Sequence, residues 1–292
     1  MDTIVALYAA QALNGLAYGM LLFLVSSGLT LIYGMMGFFN LGHAFFFMLA
    51  SYFCSTFLDM TGSYWVSLIL APFAVAVIGM SAERLFLRNL EFGPLGYIGQ
   101  ILPTLGIALM LASAVAIFWQ GKQLWVEVPE LLEGLVSIGG LEYPLYRLFI
   151  IGLSLVILAI MGWILFKTRL GLITRAAVSD ADMVNALGVN IPLVFTIVFG
   201  IATWMAGVAG VVLTPLFLVT TGFAYMWALE SLVVVVVGGL GSLPGAFVVA
   251  LLLGQLHAFG VQLTPKLGPI LMFLFMVLVL SFKPAGLFGE KR

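Results

Sequence analysis

The chain has 292 residues, of which 63% are hydrophobic and 8% are charged, and its mean hydropathy is +1.23. A soluble domain carries about 25% charged residues, so this composition excludes an ordinary soluble fold and favours a membrane protein. The net charge of −1 gives no indication of a nucleic-acid partner, and the single cysteine, Cys54, excludes an intrachain disulfide and a cysteine-based metal site.

Eight apolar runs follow one another along the chain. They lie at 4–34, 38–58, 63–82, 97–118, 145–166, 192–219, 227–258 and 268–282. A span needs roughly 20 apolar residues, and it must be helical because lipid leaves the backbone of a lone strand unpaired. The first and seventh runs exceed one crossing and are interrupted by glycine or proline, which predicts tilted or broken helices. We therefore predict one all-α integral membrane domain over 1–292, with about eight spanning or broken helices.

The charged residues between the runs predict which ends face the cytoplasm. Eight of the eleven Lys and Arg residues lie in three breaks, and the positive-inside rule places these breaks in the cytoplasm. They are Arg84, Arg88, Lys167, Arg169, Arg175, Lys283, Lys291 and Arg292. The glutamate-rich stretch 119–144 reads as an outside loop. Alternation then puts the N-terminus outside and the C-terminus inside, and it requires the run 227–258 to enter from outside, break and return.

The middle of the seventh run contains four glycines and one proline within eight residues, 238–245. Such a segment does not hold a regular helix. Irregular backbone at membrane depth is tolerated where it is buried in protein or lines a wet cavity, and broken helices are common at transporter substrate sites. The segment is therefore either a tight packing turn or part of a translocation pathway that includes Gly238, Gly239, Gly241 and Ser242.

Three polar residues inside the apolar runs are further pathway candidates, since ionisable and polar groups in spans usually face a protein interior or a cavity. Glu230 could bind a substrate ammonium group, anchor the broken helix or lie at the outer interface. His43 follows Asn40 by three residues, which places both on one helix face. This pair could line the pathway, meet a second subunit or be a packing pair.

The loop 167–192 has the sequence signals of a short amphipathic helix over 179–188. Ser179 and Asp182 form a capping pair, and the negative charges of Asp180 and Asp182 suit the first turn of a helix. Gly188 is placed as the C-terminal stop. So short a helix is marginal in water, so it must pack on its own protein or dock on a partner.

Within this loop, Arg175-Ala176, Asp180 and Ala186-Leu187-Gly188-Val189-Asn190 are similar to the coupling loop of ABC importer permeases. The chain as a whole resembles the first of the two permease types in branched-chain amino-acid ABC importers. Similar segments run along the chain in the family's order: 28–34, 40–43, 48–52, 237–246 and 282–289. The chain departs from the usual pattern beside His43, where Gly42 replaces Ala and Ala44 replaces Gly.

The resemblance implies a non-catalytic permease subunit of the bacterial inner membrane that translocates branched-chain amino acids or related small polar solutes. It implies no cofactor on this chain, a second permease subunit in a heterodimer, a periplasmic solute-binding protein and two ATP-binding subunits that hold ATP and Mg. The sequence itself lacks the G-x-x-x-x-G-K-[ST] loop that cradles phosphates. The residues expected to couple to the ATPase are Arg175, Ser179, Asp180, Asp182, Ala186, Leu187 and Gly188. The alternative is an ion-gradient-driven transporter or channel, with Glu230 as its acidic candidate.

Overall fold

The computed structural model describes residues 3–37, 39–88, 96–138 and 141–289. Within these ranges the α-helices are α1 (Thr3–Met36), α2 (His43–Thr61), α3 (Tyr64–Ala82), α4 (Gly96–Phe118), α5 (Leu145–Lys167), α6 (Arg169–Ser179), α7 (Ala181–Ala186), α8 (Ile191–Leu213), α9 (Phe223–Gly238), α10 (Leu243–Leu263) and α11 (Leu267–Phe282). A π-helical turn, Glu83–Leu87, extends α3, and a 3₁₀ turn covers Glu130–Leu132. The strands β1 (Leu135–Ile138) and β2 (Leu141–Pro144) form an antiparallel hairpin.

Seven of the described helices are long and apolar enough to cross a membrane: α1, α2, α3 with its π turn, α4, α5, α8 and α10. The helices α9 and α11 are also apolar but have 16 residues each, which corresponds to about 24 Å. The prediction of an all-α membrane domain is confirmed. The hairpin was not foreseen, and it lies within the stretch 119–144, between α4 and α5.

Of the two alternatives for the first apolar run, tilted or broken, the structure excludes the break, because α1 is one continuous helix of 34 residues. Its glycines are sites of close contact with other helices. A Cβ atom on Gly19 would lie 2.8 Å from the carbonyl oxygen of Ala250, and one on Gly254 would lie 2.6 Å from the Cα atom of Gly19. The glycines therefore let the antiparallel helices α1 and α10 approach along their backbones.

The seventh run is broken as predicted, and α9 ends at Gly238 while α10 begins at Leu243. Gly239 and Gly241 have φ angles of 102° and 82°, which L side chains rarely adopt. Ser242 caps α10, since its Oγ atom accepts a hydrogen bond from the amide of Gly245 at 3.2 Å. The two helices thus form a hairpin: α9 runs in the same direction as α1, and α10 returns in the opposite direction.

The described basic residues of the three predicted cytoplasmic breaks share one end of the bundle. The helix α5 starts beside the start of α1, where Arg147 contacts Asn14, and α3 starts beside α5, where Tyr64 contacts Tyr146. The helix α10 is antiparallel to α1, and its end packs on the start of α11 through Gly260 and Gly268, so α3, α5 and α11 all run in the same direction as α1. Their final turns and the segment α6–α7 therefore lie together, at the end opposite the start of α1. This end carries Arg84, Arg88, Lys167, Arg169, Arg175 and Lys283, whereas Lys291 and Arg292 lie outside the described residues.

Candidate translocation and coupling sites

The predicted helix over 179–188 is shorter in the structure and begins differently. Ser179 belongs to the last turn of α6, and its hydroxyl donates back to the carbonyl of Arg175 at 3.4 Å. The prediction that Ser179 caps the helix is therefore wrong. Asp180 is the cap, because its backbone is extended (φ −158°, ψ 95°) and its Oδ1 atom accepts from the amide of Met183 at 2.9 Å.

The C-terminal end of α7 agrees with the sequence interpretation. Gly188 has φ 88°, its amide donates to the carbonyl of Asn185 at 2.9 Å, and the amide of Val189 donates to the carbonyl of Val184 at 3.4 Å. This pair of bonds is the Schellman motif, which needs a residue in the left-handed region. Asn190 then caps α8 by accepting from the amide of Leu193 at 3.1 Å.

Among the described side chains of α7, Val184 packs inward and the others are exposed. Val184 is buried against Ala177 of α6 and Ile191 of α8. Leu187 and Met183 are 76% and 59% exposed, and Asp182, Ala186 and Gly188 are exposed beside them. The structure therefore shows that one face packs on the protein's own helices, and docking of the exposed face on a partner stays a prediction.

The helix α6 holds this segment against the end of α5. The Arg175 guanidinium donates to the carbonyl oxygen of Leu165 and lies 5.8 Å from the centre of the Phe166 ring. A Cβ atom on Gly171 would overlap the carbonyl oxygens of Ile164 and Leu165, so glycine is what permits the close approach. Arg175 thus positions α6 instead of projecting freely.

Asn40 and His43 line the same cavity at the start of α2, but the prediction that they share one helix face is wrong, because α2 begins at His43 and Asn40 lies in the non-helical segment before it. They line a cavity of about 10 Å³ with Leu29 of α1 and Ser231 of α9, and their side chains are 2% and 1% exposed. The Asn40 Oδ1 atom accepts from the amide of Gly42 at 3.0 Å, and the His43 Nε2 atom is 3.2 Å from the carbonyl oxygen of Val25. These residues therefore form a buried polar site inside the bundle.

Glu230 is buried beside this site but faces a different neighbour. The hydroxyl of Tyr18 donates to its Oε2 atom at 2.6 Å, and the Tyr18 ring stacks on the ring of His257 at 4.0 Å. The contact joins α9 to α1. Of the three alternatives drawn from the sequence, this geometry favours anchoring of the broken helix.

The glycine-rich break lies about two turns beyond the cavity along α9. The amides of Leu287 and Phe288 donate to the carbonyls of Val237 and Gly238 at 2.8 Å and 3.2 Å. Gly241 packs on Gly34 near the end of α1, where a Cβ atom would come within 3.3 Å. The break is therefore tightly packed by the C-terminal segment and α1.

One buried cluster escaped the sequence interpretation. The Thr196 hydroxyl donates to the Glu83 Oε2 atom at 2.6 Å and is itself 2.6 Å from the Arg88 Nη2 atom. Arg88 lies 3.7 Å from Glu83 and donates to the carbonyl of Pro192 at 3.0 Å. The signal available in the sequence was an acidic residue followed by two arginines, Arg84 and Arg88, but only the fold shows that Glu83 is buried against α8.

These features define a membrane transport subunit, with a bundle of apolar helices, a buried polar site and a short helix exposed at the basic end. The family model for the branched-chain amino acid transport system permease component matches residues 11–280. The chain belongs to this family, which confirms the resemblance in its sequence and the expectation of a non-catalytic, multi-pass permease subunit.

Individual relatives agree with the family assignment. The high-affinity branched-chain amino acid transport system permease protein BraD of Pseudomonas aeruginosa is 29% identical, over 97% of this chain and 96% of the relative. The permease proteins LivH of Salmonella typhimurium and of Escherichia coli K12, from systems of the same description, are each 28% identical over the same shares. No solved structure shows a significant match.

Proposed function

We propose that this chain is the translocating subunit of an ATP-driven importer for branched-chain amino acids or closely related solutes. The observation that carries the proposal is the exposed apolar face of α7, which Val184 packs against α6 and α8 at the basic end of a permease-family bundle. Free apolar anchors on a short helix suit docking into a groove of a partner. The partner would be an ATP-binding subunit, and a pair of these would hold ATP and Mg.

The connections of α7 offer a route for movement into the bundle. Val184 packs on the first turn of α8, and Thr196 links α8 to α3 through Glu83 and Arg88. The helix α8 also packs against α1 and α2. A displacement of α7 would therefore be transmitted to the helices that surround the Asn40–His43 cavity.

The same proposal assigns roles to the remaining candidate residues and partners. Solute would arrive from a periplasmic solute-binding protein and pass between this chain and a second permease subunit in the inner membrane. The basic end would face the cytoplasm and the start of α1 the outside. The pathway would include Asn40 and His43. Its shape would depend on the position of α9, which would be held by Glu230, Gly238, Gly239, Gly241 and Ser242.

The test is a pair of matched substitutions, because two leucines are equally exposed at opposite ends. Leu187 is 76% exposed on α7, and Leu131 is 75% exposed between α4 and β1. We expect Leu187→Asp to abolish co-purification of an ATP-binding subunit and ATP-dependent leucine uptake, because a charge on the anchor opposes burial in a groove. Leu131→Asp is expected to keep both. Equal uptake by the two variants, or uptake driven by an ion gradient without ATP, would overturn the proposal.

A further inference from the structure

The cavity at the N-terminus of α2 contains two buried polar atoms without a hydrogen-bond partner among the described residues. They are the Nδ2 atom of Asn40 and the Nδ1 atom of His43. An unpaired buried polar atom costs about 1–3 kcal/mol, so two of them on residues that line one cavity indicate a site for a polar group.

The hydrogen bonds already made determine what each free atom can do. The carbonyl of Val25 can only accept, so the Nε2 atom of His43 carries the proton and its Nδ1 atom is left as an acceptor. The amide of Gly42 can only donate, so its partner on Asn40 is the oxygen, and the free Nδ2 atom is a donor. The cavity thus presents one donor and one acceptor on side chains without formal charge.

The surroundings of the two free atoms favour two further properties in a ligand. The donor of Asn40 lies at the start of α2, where the helix dipole favours negative charge. Most of the remaining wall is apolar, with Leu29, Leu41 and Leu232 among its members. A ligand with an anionic acceptor, a hydrogen-bond donor and an aliphatic substituent would complement the Asn40 donor, the His43 acceptor and the apolar wall.

We propose, on the basis of the function proposed above, that Asn40 and His43 form the subsite that recognises the α-amino-acid zwitterion of the cargo. Asn40 donates to its carboxylate, and His43 accepts from its ammonium group. A cargo lacking either group leaves one of the two buried atoms unpaired. The present volume of about 10 Å³ admits only a water-sized group, so this conformation is closed, and α9 must move away from α2 for cargo to enter.

The experiment uses the complete transporter in proteoliposomes, with radiolabelled L-leucine as the probe. Asn40→Asp keeps the shape and the oxygen that accepts from Gly42 but replaces the donor with an acceptor. The control is Asn14→Asp, since Asn14 lies near the opposite end of α1 and its Oδ1 atom accepts from Tyr143 at 3.2 Å. Because N40D cannot donate a hydrogen bond to the carboxylate of the cargo, we expect leucine uptake to fall by about tenfold or more. The control is expected to stay within about twofold of the unaltered protein.

A second variant addresses the acceptor. His43→Phe keeps a ring of similar size and removes the Nδ1 acceptor together with the Nε2 bond to the carbonyl of Val25, and it is expected to lower leucine uptake at least as strongly as N40D. Both variants are expected to co-purify with the ATP-binding subunit as the unaltered protein does, because neither residue lies on α7. Uptake at the unaltered rate in either variant would overturn the subsite. Absence of ATP-driven leucine uptake by the unaltered transporter would instead overturn the proposed function.

Discussion

At the scale of single residues, the cluster of Glu83, Thr196 and Arg88 shows how local backbone geometry decides burial. Glu83 begins a π-helical turn, and the wider turn changes the register with which the following residues face α8. Its carboxylate is buried, and Thr196 is the group placed between it and Arg88. A buried charge that loses a partner is costly, so removal of the threonine hydroxyl is expected to lower stability more than the size of the group suggests.

Replacing Thr196 tests this expectation directly. Thr196→Val removes the hydroxyl and keeps the shape, and we expect a loss of about 1–3 kcal/mol in stability, because Glu83 and Arg88 then lose their closest partner. Thr196→Ser retains the hydroxyl and is expected to behave nearly as the unaltered protein. The measurement is the midpoint of thermal unfolding of each variant in the same detergent. Equal midpoints for Val and Ser would contradict a structural role for the hydroxyl.

At the scale of elements, α7 shows what local signals can specify. Its end at Gly188 follows from one rule, since the Schellman motif needs a left-handed residue, and glycine is the residue that adopts that conformation without strain. Its beginning was assigned one residue too early, because Ser179 and Asp180 are both good caps and the choice depends on how far α6 continues. Neighbouring elements thus decide between local signals of equal quality.

A graded series at Gly188 separates backbone strain from contact. A Cβ atom there would meet no described atom within 4 Å, so any effect comes from the φ angle of 88°. We expect Gly188→Val to cost about 1–2 kcal/mol and to speed amide hydrogen exchange in α7 by about tenfold or more. Gly188→Asn is expected to exchange at nearly the original rate, because asparagine tolerates the left-handed region. Similar exchange in both variants would show that Gly188 does not limit the stability of α7.

The sequence predicts where the apolar helices lie but not which of their faces pack together. The number and approximate bounds of the apolar runs, and the break after Gly238, follow from composition and from glycine geometry. The faces that pack do not, because a helix that is apolar all round gives no periodic signal for its buried side. The contact of Tyr18 with Glu230 is one example, since it joins residues that are 212 positions apart. The pair Asn40 and His43 was found because both residues are polar in an apolar run.

At the scale of the whole molecule, the basic residues and the fold give the same division between two ends. The order of the helices alone brings the final turns of α3, α5 and α11 together with α6 and α7, and the basic residues of these segments then share one end. The opposite end contains the β-hairpin and the acidic stretch around Glu130 and Glu133. Charge asymmetry of this kind orients a bundle in the bilayer.

The orientation can be tested with the chain's own chemistry, because Cys54 is its single cysteine and is fully buried. A cysteine introduced at an exposed position is therefore expected to be the only site labelled by a membrane-impermeant maleimide. We expect Glu133→Cys to react in intact cells and Lys283→Cys to react only after the membrane is permeabilised, since the positive-inside rule places Lys283 in the cytoplasm. The unaltered protein, which should stay unlabelled throughout, is the control. Labelling of Lys283→Cys in intact cells would reverse the orientation, and it would place α7 on the side of the membrane that has no ATP.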